Sequence, residues 1–193
     1  MTDAADPGTA PCTGCGAVVA ALPGLPVRHP GASTGCAGLF EVTLRGLREE
    51  GDRDARAAAL LQLATDAYDA QHLPTGRPAA PAVRLCLWLE RGLDPLRAAG
   101  LAVRLDVVSP TDLPRPARWT ATPVDVAADL DLVDLTALVR SWADAVWAGW
   151  RPAADRLRAA ADAVVPGRDA HHPAATRSGD DGAARAGTVP RCE

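Results

Sequence analysis

Apolar residues recur at three- and four-residue intervals in successive stretches of this chain, and each stretch is fenced by a capping residue, a proline or a glycine. That pattern calls for helices. The first is expected from Ser33, which can cap it, with Phe40, Leu44 and Leu47 on one face and Glu49, Glu50 and Gly51 at its end. A second follows Asp54 and carries Leu60, Leu61, Ala64, Ala67, Tyr68 and Gln71 on one broad face, stopping before Pro74. LPTGRPAAP then makes a loop, AVRLCLWLERG a third helix, and Asp94-Pro95 the start of a fourth running to about Leu105. Residues 107–121 contain Pro110, Pro114 and Pro116 and should be irregular. Thr122-Pro123 restarts a short helix. A long one follows over about 130–150, with Leu135, Val139, Trp142 and Val146 in one stripe, and AADRLRAAADAVV forms the last. VRLDVV at 103–108 also suits a lone strand, but an isolated strand has no partner.

The expected fold is therefore all-α: an irregular helical bundle of six or seven helices with an N-terminal zinc-knuckle-like loop. Residues 1–32, rich in proline and glycine, form that loop, packed on the bundle. Residues 33–165 form the helical domain. Residues 166–193, with almost no large apolar side chain, are expected to be a disordered tail.

Composition narrows the function. An apolar fraction of 48% supports a core, and a net charge of −4 offers no footprint for nucleic acid. The opening MTDAADPGTA is acidic and polar where a signal peptide needs a basic start and an apolar run, and AVVAAL at 17–22 is too short to span a bilayer. The expected location is the cytoplasm, with no membrane association and with thiols kept reduced. Five cysteines, an odd number, also favour thiol or metal chemistry over a disulfide framework.

PCTGCGA places Cys12 and Cys15 around a short glycine turn, which points two sulfurs at one metal ion. Cys36, in GASTGCAGLF, falls in the first turn of the first expected helix, where the positive helix end favours a thiolate. A fourth ligand is needed, and two histidines are open to the role. His29 gives a compact local site. His72 gives one that ties the knuckle to the end of the second helix. The cofactor expected is zinc, in a structural role. The competing readings are a redox pair, which usually follows a strand in a thioredoxin-like unit, and cysteines with no shared role. Cys86, inside LCLWL, reads as a small core residue, and Cys192 has no visible role.

A second constellation is TDAYDAQH, residues 65–72. On a helix Asp66, Asp69 and His72 follow at i, i+3 and i+6, while Tyr68 and His72 share a face. A carboxylate beside an imidazole could orient a metal ligand or move a proton. The plainer reading is an exposed polar face. His171-His172 lie in the expected tail, and Trp142, Trp147 and Trp150 read as core.

Taken together, PCTGCGA, GASTGCAGLF, ATDAYDAQH, AVRLCLWLERGL and SWADAVWAGW resemble a bacterial family of uncharacterised proteins, a domain of unknown function. Its pattern runs CxGCGA, SxGCW, VDAYxxQHP, VHL and WAxxVWxxW. The resemblance covers roughly residues 11–160 and implies a shared fold but no activity. Cys12, Cys15, Cys36, Asp66, Tyr68, Gln71 and His72 match the pattern. Ala37 stands where the family has tryptophan, and Leu61 and Arg84 stand where it has histidines. If those histidines help build a second metal or catalytic site, this chain lacks it.

Two functions follow as expectations. The first is a zinc-stabilised helical binding or regulatory module, with no partner that the sequence names. The alternative is a metal-dependent hydrolase-like enzyme, degenerate at the two missing histidines, using His72 with Asp66 or Asp69. No catalytic residue is assigned.

Overall fold

The computed structural model describes residues 8–22 and 29–165. The expected tail at 166–193, with His171, His172 and Cys192, lies outside the described residues. So does part of the 1–32 segment.

The described residues open with a hairpin. Strands β1 (Thr9–Pro11) and β2 (Val18–Ala20) pair antiparallel, with Pro11 opposite Val18, so residues 12–17 form the connecting loop. These strands are too short to show period-two alternation, and the sequence reads as loop there. Helices follow: α1 (Thr34–Thr43), α2 (Arg45–Gly51), α3 (Ala55–Gln71), α4 (Ala80–Leu89), α5 (Pro95–Ala99), α6 (Ala102–Val108), α7 (Pro123–Ala128), α8 (Leu135–Gly149) and α9 (Ala154–Val164), with a 3-10 turn at Arg151–Ala153 between the last two.

The all-α class holds, with nine helices among the described residues where the sequence suggests six or seven. Two expected helices are each divided. Leu44, at φ −103° and ψ 16°, separates α1 from α2. The bend at Leu44 keeps both Leu44 and Leu47 buried. Gly100 and Leu101 separate α5 from α6, and VRLDVV belongs to α6, hydrogen-bonded as a helix rather than a strand. The start of α8 falls at Leu135, where the Asp134 side chain accepts from Ala137 N–H.

Helix α3 is the centre of the packing. It touches α2, α4, α5 and α8, while α4 also packs on α9, and α1 on α7 and β2. Ala64, Ala67 and Ala70 are fully or almost fully buried along α3, and their small side chains let neighbouring backbones approach. Trp142 and Trp150 are among the largest buried side chains, and Trp147 is buried beside them, so the tryptophan group is core as expected. Among the described residues no helix is long and apolar enough to cross a membrane.

Candidate metal centre

Three separate segments deliver the cysteines and His72 to one point. The hairpin loop is held by Cys12 N–H to the Ala17 carbonyl (2.8 Å) and Gly16 N–H to the Cys12 carbonyl (2.9 Å), which brings Cys12 and Cys15 to the same side. Ser33 caps α1 by accepting from Cys36 N–H at 3.3 Å, fixing Cys36 in the first turn. Ser33 N–H in turn donates to Cys12 Sγ at 3.3 Å. His72 is the C-cap of α3, its backbone N–H bonded to the Tyr68 carbonyl.

The four donor atoms of Cys12, Cys15, Cys36 and His72 lie within 4.8 Å of one another, and all four residues are buried. Cys36 Sγ is 3.8 Å from Cys15 Sγ and 3.5 Å from His72 Nε2. The imidazole tautomer follows from its other nitrogen. His72 Nδ1 is 2.7 Å from the Tyr68 carbonyl oxygen, which can only accept, so Nδ1 carries the proton. Nε2 therefore presents a lone pair to the sulfurs, the arrangement metal-binding histidines use.

Thiols this close cannot all ionise unaided. Hydrogen bonds from Cys15 and Cys36 hold the Cys12 thiol far below its ordinary range, and the charged Cys12 pushes the Cys15 and Cys36 thiols up. A divalent cation is what lets the remaining protons leave. The donor set and the packing fit a bound metal: three sulfurs and one imidazole nitrogen, walled in by backbone. A Cβ added at Gly14 would overlap the His72 ring and the Gly31 carbonyl. One added at Gly31 would overlap the His72 carbonyl. Both glycines let the loops close directly over the end of α3.

Of the two histidines the sequence leaves open, His72 joins the three cysteines. His29 stands beside the group, its ring centroid 5.8 Å from that of His72. Its Nδ1 accepts from Gly31 N–H at 3.2 Å, and its Nε2 lies 3.4 Å from Asp69 Oδ1. The TDAYDAQH stretch is no exposed polar face, since Asp66, Tyr68, Gln71 and His72 are all buried. Asp66 is not one of the four clustered residues. Arg84 Nε donates to its Oδ1 at 2.6 Å and Gln62 Nε2 at 3.0 Å, yet burial still pushes its carboxyl up to about 6. Tyr68 stacks on Phe40 at 4.1 Å and tilts against the His72 ring at the same distance. Burial, and then the nearby thiols, push its hydroxyl pKa up.

Three residues support the site in ways that their local sequence does not announce. Arg115 Nη2 and Trp119 Nε1 both donate to the Gly14 carbonyl, at 3.2 and 3.3 Å, from the proline-rich stretch read as irregular. Gln71, placed on an apolar face by its spacing, accepts from Trp142 Nε1 at 3.0 Å and donates to the Ala121 carbonyl at 2.6 Å. Cys86 lies apart from the quartet, buried in the core with its Sγ 3.8 Å from Glu90 Oε2.

Residues 10–151, well over half of the chain, match the model of a family described as a family of unknown function, DUF5946. No curated protein and no solved structure matches the chain.

Proposed function

The chain belongs to this family of unknown function, and we propose that it is a zinc-stabilised helical module whose role is binding or regulation, working in the cytoplasm. One geometric observation carries the metal assignment. With Zn–S bonds of about 2.3 Å and Zn–N of about 2.0–2.1 Å, a tetrahedral ion sets sulfur–sulfur edges near 3.8 Å and sulfur–nitrogen edges near 3.5 Å. The Cys15–Cys36 and Cys36–His72 separations are 3.8 and 3.5 Å. Soft thiolates with one imidazole also select zinc over the hard, oxygen-seeking cations.

Four protein ligands close the coordination shell, which is the mark of a structural rather than a catalytic zinc. The ion would join the hairpin, the start of α1 and the end of α3. A centre of this type contributes about 10 kcal/mol or more of apparent binding free energy, comparable with the whole stability of a domain this size. The hydrolytic alternative needs an acid or base beside an open metal position. Asp66 is engaged by Arg84 and Gln62, and Asp69 by His29. No observation favours that reading over the structural one.

Elemental analysis of the purified chain tests the assignment. One zinc per chain is expected, with Cys12, Cys15 and Cys36 unreactive toward a thiol reagent until a chelator is added. A chain with far less than one zinc, and with every thiol freely titratable, would defeat it.

A further inference from the structure

A cavity of about 540 Å³ opens beside the metal centre, between the end of α3, the 73–78 loop, α4 and α6. Its volume lies in the range of small-molecule sites. Arg84 lines it with a side chain only 11% exposed. The Nε–H of Arg84 is spent on Asp66, and its Nη groups have no acceptor among the described residues. Neither Nη is among the buried unpaired atoms of the described residues, so both reach the solvent that fills the cavity, where a ligand can meet them. The Asp66 contact fixes the plane of the fork and turns its solvent-accessible amino groups to the cavity that Arg84 lines. Arg77 adds a second positive charge to the lining.

The same cavity also carries carboxylates. Asp69, one oxygen of which His29 holds, and Asp106 of α6 both line it. Two arginines without them would suit phosphate. With them, a dianion is repelled, and a ligand bearing one carboxylate and one ammonium matches both signs. Pro30, Pro74, Pro78 and Pro81 supply walls with little freedom to lose on binding.

We propose that this cavity binds a small zwitterion of the α-amino acid class, with its carboxylate on the Arg84 fork and its ammonium between Asp69 and Asp106. A guanidinium pairs a planar carboxylate through two parallel hydrogen bonds, which a lysine cannot reproduce. The site uses none of the four metal-binding side chains and stands or falls separately from the zinc assignment.

The test is calorimetric titration of the full, metal-loaded chain with the standard amino acids. Inorganic phosphate is titrated alongside, as are the amine and the carboxylic acid that each represent half of any amino acid that binds. Saturable binding of at least one amino acid is expected, with each half-ligand at least about tenfold weaker, the loss expected for one charge-assisted contact. Arg84→Lys keeps a cation beside Asp66 but loses the fork, and it should weaken binding about tenfold. Arg77→Gln and Asp106→Asn, both at exposed positions, should each weaken it several-fold with an unchanged melting temperature. Absence of saturable binding by every amino acid at about 10 mM, a limit well above useful affinities, would overturn the proposal. So would tight binding of phosphate, or amino-acid binding indifferent to all three substitutions.

Discussion

Gly31→Ala is the sharpest test of how the metal centre is held. Gly31 lies where the 29–32 loop crosses the end of α3, and its backbone N–H is already committed to His29 Nδ1. A methyl group there would overlap the His72 carbonyl oxygen and lie 2.7 Å from its carbonyl carbon, where ordinary contact begins near 3.4 Å. Backbone faces backbone, so no flexible side chain can give way. The two segments must part by about 1 Å, several times the roughly 0.2 Å over which zinc–ligand distances vary. One of those segments carries His72 and the other runs directly into Cys36. Dividing about 10–16 kcal/mol of apparent zinc affinity over four ligands gives about 2.5–4 kcal/mol for each. Losing one should weaken zinc binding about 100- to 1000-fold. The assay is competition with a fluorescent chelator, run beside thermal melting. Gly38→Ala is the control: nothing lies within 4 Å of its added methyl, it is inside α1, and it should stabilise the fold by about 0.5–1 kcal/mol. Wild-type zinc affinity and melting in Gly31→Ala would refute the account of loops closed over the ligand.

Two further outcomes follow from the same geometry. His72→Asn should leave well under one zinc per chain after dialysis against a mild chelator. His29→Asn should retain the metal and lose less than about 1 kcal/mol of stability, because its pairing with Asp69 is partly exposed. Elemental analysis of the two proteins, with the opposite ranking as the refuting result, settles which histidine is the ligand. Asp66 should give a pH signature. Its carboxyl sits at about 6 in the fold against an ordinary 3.8, so between those values the folded chain holds a proton that the unfolded chain has released. Its contribution is greatest below the unfolded value and is lost as pH rises through about 6. Denaturant titration should therefore show wild type gaining about 1 kcal/mol on Asp66→Asn between pH 7 and pH 5. A gap that does not change with pH would contradict the burial argument.

The sequence carried the helical class because prolines and capping residues interrupt an otherwise regular apolar rhythm. It also carried the three cysteines, since a glycine turn and a helix start are local features. The fourth member of the cluster was not legible: His29 and His72 are both at workable separations, and only the packing at the end of α3 brings the second one to the three cysteines. The break at Leu44 has no proline to announce it and answers to burial of Leu44 and Leu47 instead. Asp66 looked like surface by composition, and it becomes core only because Arg84, eighteen positions later on α4, comes to meet it. The clasp of Arg115 and Trp119 on the Gly14 carbonyl spans about a hundred residues, and nothing local encodes it.

The four side chains of the candidate metal centre all precede residue 73, while the two side chains that grip the Gly14 carbonyl come at 115 and 119. During synthesis the N-terminal end leaves the ribosome first. Ion capture can thus begin on a nascent chain still lacking α4 to α9, with the grip on Gly14 arriving afterwards as a latch. On the proposed zinc assignment, metal supply at the moment of translation, more than exchange into finished protein, would then decide how much of this chain matures.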